Sequence, residues 1–258
     1  MAKIYTTEIT SENIPSDNPI HQRLFKAYVA AGPYIQGDVL EIGCGEGRGI
    51  ALLKPKSKSF TAVDKIDEAL NALRVKFPDA KFIAMNLPPL HGLQDNAYDC
   101  VITFQVIEHI KDDRFFLKEI YRVLKPGGVA LITTPNRRLS LSRNPWHIRE
   151  YLASELKQLA AEIFDSVVMM GITGNEQVMA YYEENRKSVN LLMRWDIFNL
   201  QHKLPAWMLR IPYEFMNRLN RNKLHAGDSA LVRNITHNHY LVTDNADEAL
   251  DLFLIVKK

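Results

Sequence analysis

The stretch Val39-Leu-Glu-Ile-Gly-Cys-Gly-Glu-Gly-Arg-Gly49, with the apolar run after it that ends in Asp64, decides the fold of this 258-residue chain. A short β-rich segment feeds a turn with glycines at 43, 45 and 47, and a second strand then delivers a carboxylate. Glycine lets a backbone turn sharply and lie against a ligand with no Cβ in the way. An acid at the end of the next strand can accept both hydroxyls of a ribose. Together they predict a nucleoside site at the carboxyl edge of a parallel sheet.

Which nucleoside follows from the charges. A dinucleotide site prefers G-x-G-x-x-G, with pyrophosphate received at a helix N-terminus. Here the sixth position is Arg48, and Glu41 stands two residues before the first glycine. A carboxylate there repels phosphate and suits a ligand that carries an ammonium group and no phosphate. S-adenosylmethionine is such a ligand, and NAD is the alternative on this loop alone.

The order downstream narrows the choice. Tyr98-Asp-Cys-Val-Ile-Thr-Phe-Gln105 reads as a buried strand, followed by Ile107-Glu-His-Ile110. Asp112 and Asp113 then cap a helix whose Phe116, Leu117, Ile120, Val123 and Leu124 recur at helical spacing. Lys125-Pro-Gly-Gly128 stops it, and Val129-Ala-Leu-Ile-Thr-Thr-Pro135 is the next strand. Leu-Glu-Ile-Gly-Cys-Gly, Val-Ile-Glu-His and Val-Leu-Lys-Pro-Gly-Gly occur in that order. The succession resembles the class I S-adenosylmethionine-dependent methyltransferases, in the branch that includes the ubiquinone-biosynthesis O-methyltransferases. The likeness covers about residues 38 to 170 and the last strand.

That resemblance implies roles. Glu41, Gly43 and Gly45 would face the methionyl part of S-adenosylmethionine, Asp64 the ribose, and Asn86 with Leu87 the adenine edge. Gln105 falls where the family meets the methionyl group. His109, beside Glu108, would stand next to the transferred methyl, where an imidazole can take a hydroxyl proton as general base. The ubiquinone enzymes carry an acid at the position of Gln105, in a Glu-x-x-Glu-His cluster that supports metal use. With Gln there, no metal is expected. Trp146, His147 and Arg149, in Asn144-Pro-Trp-His-Ile-Arg-Glu-Tyr151 after the fifth strand, are candidates for the acceptor. Related segments occur in methyltransferases of glycan and secondary-metabolite pathways.

Strand and helix alternate from 38 to 43 through a helix near 47 to 54, 59 to 63, a helix near 67 to 76, 81 to 85 and 98 to 104. A helix over 113 to 124, a strand over 128 to 134, a helix near 154 to 163 and a strand near 165 to 172 follow. The pattern predicts an α/β, Rossmann-like, doubly wound sheet, mostly parallel, with Leu252–Val256 as an antiparallel C-terminal strand near its edge. Residues 1 to 37 would form a loose segment and a helix from Asn18-Pro19 to Ala31 over the cleft. Residues 38 to 173 and 249 to 258 would form the core. Residues 174 to 248 would be a helical insertion, patterned by Val189, Leu192, Met193, Ile197, Phe198 and Leu200. Its second segment is interrupted by Pro212. A cap beside the site, an oligomer contact and a peripheral membrane surface are its three readings.

Composition bounds the rest. Net charge of +2 gives no field to gather nucleic acid. No apolar run approaches membrane-spanning length, and the first residues lack a signal region, so the cytoplasm is the expected location. Two cysteines without Cys-x-x-Cys suggest neither disulfides nor zinc. His237-x-His239 could set two imidazoles on one face of a strand, but no third ligand is evident. The reading is an enzyme that methylates an oxygen of a small molecule or glycan, as a monomer or homodimer. A nucleic-acid methyltransferase and a non-catalytic S-adenosylmethionine-binding protein are the alternatives. Against the former, Phe104-Gln-Val-Ile107 lacks an Asn/Asp-Pro-Pro-Tyr grip for a flipped base.

Overall fold

The computed structural model describes residues 15–194, 203–227 and 229–258. Eight strands form one sheet: β1 (Asp38–Ile42), β2 (Ser59–Asp64), β3 (Lys81–Ala84), β4 (Tyr98–Phe104), β5 (Leu124–Pro135), β6 (Ser166–Gly174), β7 (Tyr240–Thr243) and β8 (Asp251–Lys257). Their order is β3-β2-β1-β4-β5-β8-β6-β7. Pairing is parallel from β3 to β5, and β8 is antiparallel to both β5 and β6. Chain direction turns outward on either side of the β1–β4 pair, which opens a crevice at their carboxyl ends.

Alternation along the strands splits the apolar residues between two faces. Leu40, Ile42, Val101, Ile132 and Leu254 pack on one side with Phe116, Leu117 and Ile120 of α4 (Asp113–Val123) and Leu156 of α5 (Ala153–Ala161). Val39, Ala62, Cys100, Leu131 and Phe253 pack on the other. Their partners are Tyr28 and Ala31 of α1 (Asn18–Ala31), Ile50 and Leu53 of α2 (Ile50–Leu53), and Leu70 and Leu73 of α3 (Asp67–Lys76). Asp112 caps α4, its Oδ1 accepting from the Phe115 N–H at 3.0 Å.

Four expectations change. The helix near 47 to 54 shrinks to one turn at Ile50–Leu53, because Gly47, where it would begin, holds φ of 79°, outside the α-helical region. The fifth strand starts at Leu124, not 128, since the carbonyl of Lys258 takes the Gly127 N–H at 2.7 Å and pairing with β8 continues at Val129–Lys257. His237–His239 is a 3₁₀ turn, not a strand: His239 Nδ1 lies 3.1 Å from the Thr236 N–H, and His237 meets the Phe25 ring edge-on. The second segment of the insertion is not interrupted: α7 (Ala206–Gly227) runs through Pro212, which forfeits one ladder bond without ending the helix.

Between β6 and β8 lie α6 (Glu176–Met193), α7, α8 (Ser229–Asn234) and β7, a strand the sequence did not announce. Ile197, Phe198 and Leu200 fall outside the described residues. Gly174 pairs with Tyr240, and the Asn175 N–H donates to the His239 carbonyl at 2.8 Å. The helices thus emerge from the tip of a β6–β7 hairpin and return to it. Among the described residues, no helix is long and apolar enough to cross a membrane.

Candidate active site

Where β1 ends, the glycine turn swings back under β2. The Gly43 N–H donates to the Val63 carbonyl at 2.8 Å, and the Gly45 N–H donates to Asp64 Oδ2 at 2.8 Å. Asp64 Oδ1 accepts from the Ile66 N–H at 3.0 Å. Two backbone donors therefore fix this buried carboxylate at the strand end, while each oxygen keeps a further acceptor position. A Cβ on Gly43 would come within 2.3 Å of Val106 Cγ2, whereas one on Gly45 would meet nothing within 4 Å.

A cavity of about 300 Å³ opens in front of this turn. Gly43, Gly45, Asp64, Asn86, Leu87, Gln105 and His109 line it with Lys65, Ile66, Val106 and Ile110. Seven of the eight residues assigned from sequence to donor and catalysis are thus in one wall, drawn from four strand ends and the turn after β4. Glu41 lines neither cavity. It is buried behind the turn, where Tyr28 donates its hydroxyl to Oε1 at 2.8 Å and Oε2 has no hydrogen-bond partner. Burial, with the Asp64 charge nearby, pushes its carboxyl up to about 8 despite the Tyr28 bond.

A second cavity, about 270 Å³, adjoins the first, and Gln105 and His109 line both. Gln105 is held at φ 58°, a left-handed conformation uncommon for a side-chain-bearing residue. Its N–H donates to the Thr133 carbonyl at 2.9 Å, which anchors it to β5. His109 ends a 3₁₀ turn, Ile107–His109, and its Nδ1 lies 2.9 Å from the Trp146 carbonyl. A carbonyl only accepts, so Nδ1 carries the hydrogen and Nε2 of the neutral ring bears the lone pair.

His147 meets the His109 ring edge-on, with centroids 5.0 Å apart. Its Nδ1 lies 2.6 Å from Glu150 Oε1, and its Nε2 lies 2.9 Å from Asn144 Nδ2. Glu108 beneath them is buried and accepts from the Thr134 hydroxyl at 3.0 Å. Burial pushes its carboxyl up to about 7, although His147 and these hydrogen bonds oppose the rise. Ligand atoms of Glu108, His109 and His147 lie within 4.8 Å of one another, a spacing suited to a divalent cation. The separation of 38 positions between His109 and His147 hid this convergence.

Two acceptor candidates stand elsewhere. Trp146 is outside both cavity walls: its Nε1 donates to Glu214 Oε1 at 3.1 Å, and Arg210 stacks over the ring at 4.2 Å. Arg149 pairs with Asp113 Oδ2 at 2.8 Å and stacks over Tyr151, securing α4 and α5 rather than a ligand. Sequence reasoning missed the opposite wall of the second cavity. Arg23 of α1, Tyr181, Tyr182 and Asn185 of α6, and Tyr213, Asn217 and Asn220 of α7 form it. Polar and aromatic residues recurring three and four apart within the two insertion helices were the available signal.

Known proteins agree with this geometry. Residues 40–132 match the family model described as a methyltransferase domain. The chain is 41% identical over 145 residues to a probable S-adenosylmethionine-dependent methyltransferase of Mycolicibacterium smegmatis, spanning 54% of each protein. It is 31% identical over 104 residues to a ubiquinone biosynthesis O-methyltransferase of Rickettsia bellii, covering 39% of this chain and 42% of that one. The chain spans about half the length of the curated relatives it matches. A solved Thermotoga maritima structure, described as a S-adenosylmethionine-dependent methyltransferase and possible histamine N-methyltransferase, has a TM-score of 0.58. It covers 93% of this chain and 92% of its own at 16% identity, a likeness of fold. The strand order and the glycine turn that leads to Asp64 agree with these matches: residues 40–132 resemble a methyltransferase domain, and the relatives that the chain resembles are named as S-adenosylmethionine-dependent methyltransferases.

Proposed function

We propose that the chain moves a methyl group from S-adenosylmethionine to an oxygen of a small-molecule or glycan acceptor. The observation that carries this reading is the shared wall: Gln105 and His109 border both cavities, so donor and acceptor would meet across them. The first cavity suits the donor. Gly45 leaves open space where any other residue would put a Cβ, and Asp64 is oriented for ribose hydroxyls. S-adenosylmethionine supplies an electrophilic methyl on a sulfonium, and the chain's work is alignment, exclusion of water and proton removal.

Proton removal falls to His109. Its Nδ1–H is committed to the Trp146 carbonyl, which aims the ring and assigns the basic role to Nε2. His147, held by Asn144 and Glu150, braces that ring from the side.

Calorimetry and turnover test the two halves separately. Asp64→Ala should weaken S-adenosylhomocysteine binding, each lost charge-assisted bond being worth about 1.5–3 kcal/mol. His109→Gln should keep that binding and cut kcat about 10²–10⁴-fold at neutral pH, less as pH rises and the acceptor ionises unaided. Tight binding of NAD with none of S-adenosylhomocysteine would refute the donor, and an unchanged kcat would refute the base. If chelation abolishes turnover and a divalent cation restores it, Glu108, His109 and His147 are ligands instead.

A further inference from the structure

Helix α7 has two opposed faces. Tyr213, Asn217 and Asn220 line the second cavity. At about 100° per residue, Trp207, Ile211, Phe215 and Leu219 fall on the far side, and they are 70%, 82%, 63% and 49% exposed. Met208 and Met216, also exposed, widen the stripe. Single exposed apolar residues are ordinary, but a continuous helical stripe of them marks a contact surface.

Charge identifies what lies against it. The sequence of Ala206–Gly227 holds four basic residues against one acid, Glu214; Arg218 pairs with the buried Asp17 at 3.1 Å and Arg210 stacks over Trp146, while Arg221 and Lys223 add further positive charge near the C-terminal end of the helix. Exposed Arg194 and Lys203 precede it. A second copy of the chain would bring like charges together across the stripe, at a cost. An anionic bilayer would instead complement the cations while the tryptophan, isoleucine and phenylalanine enter its acyl boundary. We propose that α7 lies in the surface of an anionic membrane, apolar stripe inward, with its opposite face as a wall of the second cavity.

Sedimentation of the full chain with vesicles of phosphatidylglycerol and phosphatidylcholine, against phosphatidylcholine alone, tests this. The chain should partition onto the anionic vesicles, less so as salt rises. Trp207 fluorescence should shift to the blue on binding, and Trp207→Phe should remove that shift. The double variant Ile211→Glu with Phe215→Glu should keep its melting temperature and S-adenosylhomocysteine binding yet partition at least about tenfold less. Failure to bind anionic vesicles, or equal binding by the double variant, overturns the proposal. So does a wild-type dimer that the double variant converts to monomer, which would make the stripe a self-contact.

Discussion

Gly43 and Gly45 share a left-handed backbone and differ in what surrounds them. Alanine at either costs about 1–2 kcal/mol in backbone energy alone. At Gly43 the new methyl would also displace Val106 Cγ2, 2.3 Å away, so Gly43→Ala should lower the denaturation midpoint further. At Gly45 the methyl enters the cavity, so Gly45→Ala should spare more stability and lose more S-adenosylhomocysteine affinity; paired denaturation and calorimetry read the contrast. The buried acids set a pH dependence. Glu41 is raised to about 8 and Glu108 to about 7 from an ordinary value of 4.5, so the folded state binds these protons more tightly. Their contribution to stability is complete below about pH 4.5 and is lost as pH rises through about 7 and then about 8. Glu41→Gln, which keeps an acceptor for Tyr28, should flatten the upper part of the melting-temperature profile. A variant profile parallel to wild type across that range would contradict this.

At the scale of elements, the strands that build the site were legible because their apolar alternation and glycine punctuation act locally. β1, β2, β4 and α4 follow from Val39–Ile42, the run into Asp64, Tyr98–Phe104 and the stripe Phe116, Leu117, Ile120 and Val123. β7 was not legible: four residues, Tyr240–Thr243, become a strand only because β6 offers an edge. The contacts of Trp146 and Arg149 were hidden for a similar reason, since their partners Glu214, Arg210 and Asp113 are distant in sequence. Asn136 belongs to this class of hidden long-range contacts. At the end of β5 its buried amide donates to the carbonyls of Ala246, Asp247 and Ala249 at 3.1, 3.2 and 2.8 Å, pinning the segment that leads into β8. Asn136→Ala would strand these carbonyls and should cost about 2–3 kcal/mol of unfolding free energy. A loss under about half that would mean that water replaces the amide.

At the scale of the molecule, sheet and helices divide the labour proposed here, the sheet edge holding the donor and α1, α6 and α7 enclosing the acceptor. Replacing residues 175–239 with a two-residue Asn-Gly turn should leave a β6–β7 hairpin whose protein still binds S-adenosylhomocysteine, because no described residue of that span lines the donor cavity. Turnover should vanish, and a truncated chain that still methylated its acceptor would remove α6 and α7 from that role. The hairpin also bears on variation. Since the inserted helices leave and rejoin the sheet 2.8 Å apart, at Asn175 and His239, their length and sequence impose no register on any strand. A cassette joined at one place on the sheet can therefore change in length or sequence without disturbing the donor half, which would let the proposed acceptor wall vary on its own.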